Sequence, residues 1–310
     1  MSNKKLLVII AIFNPNKYFE ELLDSLYNQS FNDFDVLITD DSENESINKD
    51  SIIDKFKPKG VTIYFQSGPK KGFAKNFLSG LNFGEASYEY YGFCDQDDIW
   101  HSKKIETAIK KLEKLSSKNC KLYCSRTKIV DETGSFINFS PKFVKKPNFK
   151  NSLVQSIAGG NTMVFDSLLK DTLIKASTNV ELISSHDWIA YICATGIDGE
   201  IIYDQKPQID YRQHDNNLIG SNLSFTAFLR RLSLLFKGQF KEWNAQNMEI
   251  VENIFDDLSS SNKRTFVQFK LLKKESSFFK RLKIFRSLKL YRQTLFGNLG
   301  LLIAIIFKRI

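Results

Sequence analysis

The sequence predicts an α/β protein with a mostly parallel central sheet, a mixed second half and a basic helical C-terminal region. Three observations carry that prediction. Over the first hundred residues, short apolar runs alternate with amphipathic stretches in the order β-α-β-α-β-α-β, which calls for parallel strands joined by right-handed crossovers. Three of those strands end abruptly in polar or acidic residues, as strands do where an open sheet binds its ligand. Charge is also uneven: residues 221–310 hold 17 Lys and Arg against 6 Asp and Glu, whereas residues 1–220 hold 27 against 29.

The elements follow in order. Residues 5–13 are a continuous apolar run and predict a buried strand. Residues 16–28 predict a helix, with Tyr18, Leu22, Leu23, Leu26 and Tyr27 at helical spacing. Residues 34–39 predict a second strand that ends at Asp40-Asp41-Ser42, and a helix over 45–56 stops at Lys57-Pro58-Lys59-Gly60. A third strand over 61–65, a helix over 73–83 and a strand over 88–94 complete the regular half. After a helix over 102–115 the alternation breaks. A strand over 121–130, the turn Asp131-Glu132-Thr133-Gly134 and a strand over 135–139 read as a hairpin. A helix near 149–157, the Gly159-Gly160 turn, a strand over 161–165, a helix from about Asp187 and a strand near 199–203 follow. The first unit is expected to close near Gly220, and long helices with Leu and Phe stripes make up 221–310.

Composition is that of an ordinary soluble protein, with 42% hydrophobic and 25% charged residues. The apolar run after Lys4-Lys5 superficially suggests a signal peptide. Asn14-Pro15-Asn16 and an amphipathic helix follow it with no small-residue cleavage site, so it is read as the first strand. Cys94, Cys120, Cys124 and Cys193 lie in apolar surroundings, and with only His101, His186 and His214 available no zinc-ligand spacing can be assembled. A reducing cytosolic compartment is the expectation.

The most telling stretch is Tyr90-Tyr91-Gly92-Phe93-Cys94-Asp95-Gln96-Asp97-Asp98-Ile99-Trp100. A strand that ends in three carboxylates within four residues crowds negative charge unless a cation compensates it. Mg²⁺ or Mn²⁺ bridging to phosphates supplies that compensation, whereas a solvated acidic turn is the plain alternative. Asn14 ends the first strand, Asp40 and Asp41 the second, and Asp95, Asp97 and Asp98 the fourth, so all three groups are expected along one sheet edge. There a carboxylate suits the imide N–H of a pyrimidine, and another suits a ribose hydroxyl. No Gly-x-Gly-x-x-Gly follows the first strand and there is no Gly-x-x-x-x-Gly-Lys-Ser/Thr, which points away from dinucleotide and P-loop sites. Two more polar clusters, Ser184-Ser185-His186-Asp187-Trp188 and Asp210-Tyr211-Arg212-Gln213-His214, stand in the second half. Taken alone, Asp187 is as well explained as a first-turn carboxylate of a helix, and His214 as a structural histidine.

Together these residues resemble glycosyltransferase family 2, whose members have the GT-A fold with a Rossmann-like sheet. The similarity runs through Ile9-Ile10-Ala11-Ile12-Phe13-Asn14, Leu22-x-x-Ser25-x-x-x-Gln29-Ser30, Ile38-Thr39-Asp40-Asp41-Ser42 and Gly72-x-x-x-Asn76-Phe77. It continues through Asp95-Gln96-Asp97-Asp98-Ile99-Trp100 with Lys104-Ile105, Gly160-Asn161-Thr162-Met163, His186-Asp187-Trp188 and Tyr211-Arg212-Gln213-His214-x-x-Asn217. It covers about residues 5–220. The Asp-Gln-Asp-Asp-Ile-Trp and Tyr-Arg-Gln-His elements look like the bacterial rhamnosyltransferase-like branch, which builds O-antigen, capsule and related surface polysaccharides.

The resemblance implies one GT-A domain over 1–220, with a nucleotide-sugar half over about 1–100 and an acceptor half over about 101–220. It implies metal-dependent, inverting transfer of a sugar from a dTDP- or UDP-sugar to a saccharide acceptor. Asp40 or Asp41 would meet the base and Asp95 the ribose, with Phe13, Asn14, Asn76, Gln96, Trp100 and Arg212 completing the nucleotide-sugar site. Asp97 and Asp98 would hold Mn²⁺ or Mg²⁺ with help from His214, and Asp187 would be the catalytic base. Two departures touch the base and ribose contacts: Ile12-Phe13 stands where members usually have Thr-Tyr, and Asp41-Ser42-Glu43 lacks the common Gly.

Two other readings compete. One is a nucleotide-sugar-binding relative without turnover. The other is a polyanion-binding protein, because residues 261–292 carry 11 basic side chains and one acid. The aromatic residues there fall mostly at helical spacing, which suits packing better than base stacking, so nucleic acid is not expected. Residues 295–307 are apolar but too short to span a bilayer, which takes about 20. Basic helices beside that apolar foot predict peripheral attachment to the anionic cytoplasmic membrane face, near a polyprenyl-linked acceptor. The plainer alternative is that these helices pack on the catalytic domain with a solvated basic face.

Overall fold

A computed structural model of the chain describes residues 4–44, 47–84, 86–116, 118–213 and 233–310. Its centre is a seven-stranded sheet. Strands β1 (Leu6–Ile12), β2 (Phe34–Asp40), β3 (Ile63–Ser67) and β4 (Tyr90–Asp95) are parallel in the spatial order β4-β1-β2-β3. The order reverses at β1, which is where an open sheet forms its ligand crevice. Register decides what meets there: Ile12 lies level with Asp40 on one side, and Ala11 with Asp95 on the other. Alternation along β1 sends Leu6, Val8 and Ile10 into one core and Leu7 and Ile9 into the other, so both faces of the sheet are covered.

Helices α1 (Tyr18–Tyr27), α2 (Lys49–Phe56) and α3 (Phe73–Gly80) are the expected crossovers, each trimmed at its ends. Helix α2 starts where the Asn48 side chain accepts from Ser51 N–H, later than residue 45. Helix α3 lies close on the sheet because Gly80 has no side chain: a Cβ there would come 2.7 Å from the Ile9 side chain. After the two-residue β5 (Ile99–Trp100) and α4 (Lys104–Glu113), the second half is mixed as expected.

Several elements there differ from those the sequence predicts. The strand expected over 121–130 is two strands, β6 (Lys121–Ser125) in the large sheet and β7 (Lys128–Val130) in a second, four-stranded sheet. The break is held by Arg126, which donates from Nε (3.0 Å) and Nη2 (2.7 Å) to the Ser140 carbonyl, and by Thr127 N–H on the Ser140 hydroxyl. β7 pairs with β8 (Phe136–Phe139) as the expected hairpin. The helix near 149–157 shrinks to α5 (Phe149–Ser152), and Gly160–Thr162 form a tight helical turn before β9 (Val164–Asp166). Helix α6 (Ser167–Ser177) had not been anticipated; Asp166 caps it by accepting from Leu169 N–H. Helix α7 (His186–Gly196) and β10 (Glu200–Asp204) lie where expected. The polar cluster from Asp210 proves to start as a strand, β11 (Ile209–Arg212), paired with β5 and β7. The expected closure near Gly220 falls outside the described residues.

The C-terminal region is helical: α8 (Gln239–Asn253), α9 (Ser260–Lys274), α10 (Phe278–Leu288) and α11 (Leu295–Ile306). Ile250, Phe266, Phe269, Leu301 and Ile305 join the same core as Phe149, Phe165 and Ile189. Each such buried side chain contributes about 1.5–3 kcal/mol, so these helices are part of the folded body and not a loose tail. Asn262 reinforces the seam by donating to the Thr195 and Gly196 carbonyls at 3.0 and 2.9 Å. Among the described residues no helix is long and apolar enough to cross a membrane.

Candidate active site

The loops that leave β1, β2, β3 and β4 converge at the switch point. Asn14 adopts the left-handed backbone (φ 43°) and its N–H donates to the Ser42 hydroxyl at 2.8 Å. Ser42 N–H in turn donates to Asp40 Oδ1 at 2.8 Å. Asp41 is buried and accepts from Lys70 N–H at 2.8 Å. The Asn76 amide donates to the carbonyls of Ile12 (3.2 Å) and Thr39 (3.0 Å), which ties β1 to β2, while its buried Oδ1 has no partner. Gly68 admits this arrangement, since a Cβ there would collide with both Asp41 Oδ1 and Asn76 Oδ1. Gln96 joins the fourth loop to the first by accepting from Phe13 N–H at 2.8 Å and donating to its carbonyl at 3.3 Å. The Phe13 ring itself is 59% exposed beside this crevice.

The carboxylates after β4 divide into two kinds. Asp95 and Asp97 are half-buried at the mouth. Burial first, and then the negative charges of Asp97 and Asp187, push Asp95 up to about 8. Asp98 turns inward and is fully buried. It accepts from Arg212 N–H at 3.1 Å and from the Asn161 amide in a short contact. Burial and the neighbouring Asp97 and Asp95 raise it well above the carboxylate range, against those two hydrogen bonds.

Two further residues expected at the ligand lie behind it. Trp100 is buried, with Lys104 Nζ 3.2 Å from its ring centroid. Burial lowers Lys104 to about 7, opposed by the neighbouring Cys94 and Asp98. Arg212 is 2% exposed and its guanidinium is spent on protein groups: the carbonyls of Asp97 (3.3 Å) and Glu132 (2.8 Å) and the Glu21 carboxylate (2.5 Å). It also lies over the Tyr18 ring at 4.2 Å. Its position makes it a brace for the acidic loop, with Nε, Nη1 and Nη2 each engaged by a protein group.

Asp187 comes from the other half of the sheet, in the first turn of α7. Burial raises it to about 6, opposed by hydrogen bonds from the Ser185 hydroxyl and the N–H groups of Trp188 and Gly160. The next side chain, His186, is packed in an aromatic cage, stacked on Phe77 at 4.1 Å and edge-on to Phe93 at 4.9 Å. Burial holds it neutral, down to about 3, and neither ring nitrogen has a partner. Gly160 makes room for the imidazole, because a Cβ there would run into the ring.

The structure thus brings Phe13, Asn14, Asp40, Asp41, Asn76, Asp95, Gln96, Asp97 and Asp187 to one crevice and sets Asp98, Trp100 and Arg212 behind it. His214 lies outside the described residues. Sequence reasoning gave no role to Gly68, Ser42, Asn161, Ser185 or Glu21. Asn161 sits inside a motif that could have flagged it; Glu21 lies 191 residues from its partner and carries no local signal. No three His, Cys, Asp or Glu side chains among the described residues surround one point. The donor chemistry still suits a hard divalent cation completed by ligand oxygens, since Asp95 and Asp97 crowd their negative charges at the mouth.

Known proteins share this family and fold. The family model described as Glycosyl transferase family 2 matches residues 7–173, more than half of the chain. The dTDP-rhamnosyl transferase RfbG of Shigella flexneri is 28% identical over 270 residues, 82% of this chain and 86% of RfbG. The amylovoran biosynthesis glycosyltransferase AmsB of Erwinia amylovora is 26% identical over 137 residues, 43% of this chain and 44% of AmsB. Among solved structures, S. aureus TarS 1–349 in complex with UDP-GlcNAc superposes with a TM-score of 0.54 at 16% identity, covering 92% of this chain and 80% of that one. At that identity the likeness is one of fold.

Proposed function

We propose that this chain, which belongs to glycosyltransferase family 2, moves a sugar from a nucleotide diphosphate to a saccharide acceptor with inversion at the anomeric carbon. The observation that carries this reading is the meeting of Asp187 with Asp95 and Asp97 at the switch point of the sheet, where each raises the proton affinity of Asp95. The donor is a dTDP- or UDP-sugar, and the similarity to a dTDP-rhamnosyl transferase favours dTDP-rhamnose. The base lies over the β1–β2 edge against Asp40 or Asp41, the ribose against Asp95, and Phe13, Asn14, Asn76 and Gln96 shape the pocket.

Asp187 takes the proton of the acceptor hydroxyl as that oxygen attacks the anomeric carbon. The bond from that carbon to the diphosphate breaks on the opposite side, which inverts the centre. A base held at about 6 is ionised at neutral pH yet still basic enough to accept the proton. Asp97, with His214, would hold Mn²⁺ or Mg²⁺, which offsets charge on the departing diphosphate. Asp98 and Arg212 act one step back, by holding the acidic loop against β11 and α1.

The acceptor is read as a polyprenyl-linked saccharide at the inner face of the cytoplasmic membrane, in assembly of a surface polysaccharide such as O-antigen or capsule. The basic C-terminal helices support that placement. The test is turnover across dTDP- and UDP-sugars with Mn²⁺, Mg²⁺ or EDTA. Metal-dependent release of one nucleoside diphosphate is expected; absence of both turnover and metal-dependent nucleotide binding would overturn the reading.

A further inference from the structure

Helix α11 is apolar on two opposite faces. Leu301, Ala304 and Ile305 face inward and are buried, whereas Leu295, Leu299 and Leu302 recur at i, i+4 and i+7 on the outer face. Leu295 is 87% and Leu299 47% exposed, and Phe296 beside them is 63% exposed. A helix that is apolar all round belongs inside a protein or against lipid, and only one side of this one has protein on it.

The outer stripe is rigidly presented. Arg281 is buried and donates to the Ile305 (2.8 Å) and Ile306 (2.9 Å) carbonyls at the C-terminus of α11. The same guanidinium reaches the Glu275 and Ser276 carbonyls just beyond α9, both at 3.2 Å. One side chain of α10 therefore ties the ends of α9 and α11 together.

The segment that carries it is charged with one sign. Residues 276–310 contain eight Lys and Arg and no Asp or Glu. Lys280, Lys283, Arg286 and Lys289 of α10 and its C-cap are exposed. At the other end of the stripe, Lys146, Lys150 and Lys289 line a cleft of about 400 Å³ with Tyr291. That cleft is joined to the first turn of α11, because the Arg292 carbonyl accepts from both Lys145 Nζ (2.9 Å) and the Asn298 amide (2.8 Å).

We infer that the outer stripe of α11 and the adjoining lysine cleft form one docking surface for an anionic phospholipid bilayer. The stripe lies in the interface plane and the cleft receives phosphate headgroups. An apolar foot ringed by cations complements an anionic leaflet on both counts, whereas a second copy of this chain would bring like charges together. The inference deepens the membrane placement proposed above by naming the surface that makes it.

The test is co-sedimentation of the full chain with phosphatidylglycerol–phosphatidylcholine vesicles and with pure phosphatidylcholine vesicles. Two variants, Leu295→Gln/Phe296→Gln/Leu299→Gln and Lys146→Glu/Lys150→Glu/Lys289→Glu, change exposed residues and the half-buried Lys150, and thermal melts check that both fold. The wild type is expected to partition onto the anionic vesicles, with each variant weaker by roughly tenfold or more. Donor hydrolysis in the absence of lipid is expected to be unchanged, and it tests the transferase reading separately. Vesicle binding by both variants equal to wild type would overturn the named surface while leaving membrane attachment standing. A wild type that ignores anionic vesicles would overturn both, as would a dimer that the stripe variant turns into a monomer without any lipid binding.

Discussion

The backbone N–H of Arg212 donates to Asp98 Oδ1 at 3.1 Å, across 114 residues of chain. Through this bond the last strand of the second sheet holds the acidic loop from behind, while the neighbouring Asp97 stays at the mouth. Two adjacent carboxylates thereby part, one held in the interior and one left at the mouth, where the proposed function has it meet the ligand.

Exchanging them separates the two roles. Asp97→Ala is expected to abolish transfer at a smaller cost in stability than Asp98→Ala, since the Asp97 side chain is half-buried and that of Asp98 is fully buried. Asp98→Ala strands the Arg212 N–H and the Asn161 amide in the interior and is expected to cost about 1–3 kcal/mol of stability. Urea unfolding of both variants beside a transfer assay checks the split; equal stability losses would contradict it.

Asp187 gives a pH signature. Held at about 6 by burial, it is expected to make kcat/KM rise between about pH 5 and 7 and level off above. Removing the Ser185 hydroxyl takes away a hydrogen bond that favours the charged form, so Ser185→Ala is expected to move the rise to higher pH. A pH profile of kcat/KM for both proteins measures the displacement, and a shift downward would be the wrong sign.

The same group links pH to stability. Its folded value lies above the ordinary 3.8, so the folded state holds its proton more tightly than the unfolded chain. The resulting stabilisation is complete below about pH 4 and is lost as pH rises through about 6. Asp187→Asn is therefore expected to gain stability relative to wild type on going from pH 4 to pH 8, by up to about 3 kcal/mol. Chemical denaturation at both pH values reads this directly.

Gly160 and His186 make a packing test. Gly160→Ala drives a methyl into the imidazole, which is hemmed in by Phe77 and Phe93 and cannot step aside. A loss of about 1–3 kcal/mol is expected, together with reduced transfer, because Gly160 N–H also bonds Asp187. The double variant Gly160→Ala/His186→Ala is expected to recover part of the stability; no recovery would mean that the ring is not the obstacle.

Much of this architecture was legible in the chain. The parallel half was readable because β1 is buried on both faces, Leu6, Val8 and Ile10 on one and Leu7 and Ile9 on the other, so that it and its neighbours β2 and β4 form unbroken apolar runs, and because Asp40 and Asp95 mark the strand ends. The crevice followed from those ends. The second half resisted because its breaks are set by distant partners: Ser140 bends the chain at Arg126, and β11 is a strand only because β5 and β7 flank it. Side-chain direction was likewise hidden. Nothing in Asp97-Asp98 or Tyr211-Arg212 says which group points out, and only Asn161, Glu21 and Tyr18 in space decide it.

The most direct test of the central claim is turnover of dTDP-rhamnose and a set of UDP-sugars by the full chain, with Mn²⁺, Mg²⁺ or EDTA, read as released nucleoside diphosphate. Release from one donor that stops with EDTA, with Asp97→Ala and with Asp187→Asn is the result this account predicts. If no donor is turned over and nucleotide binding is indifferent to metal, the crevice is not a donor site and the account is wrong.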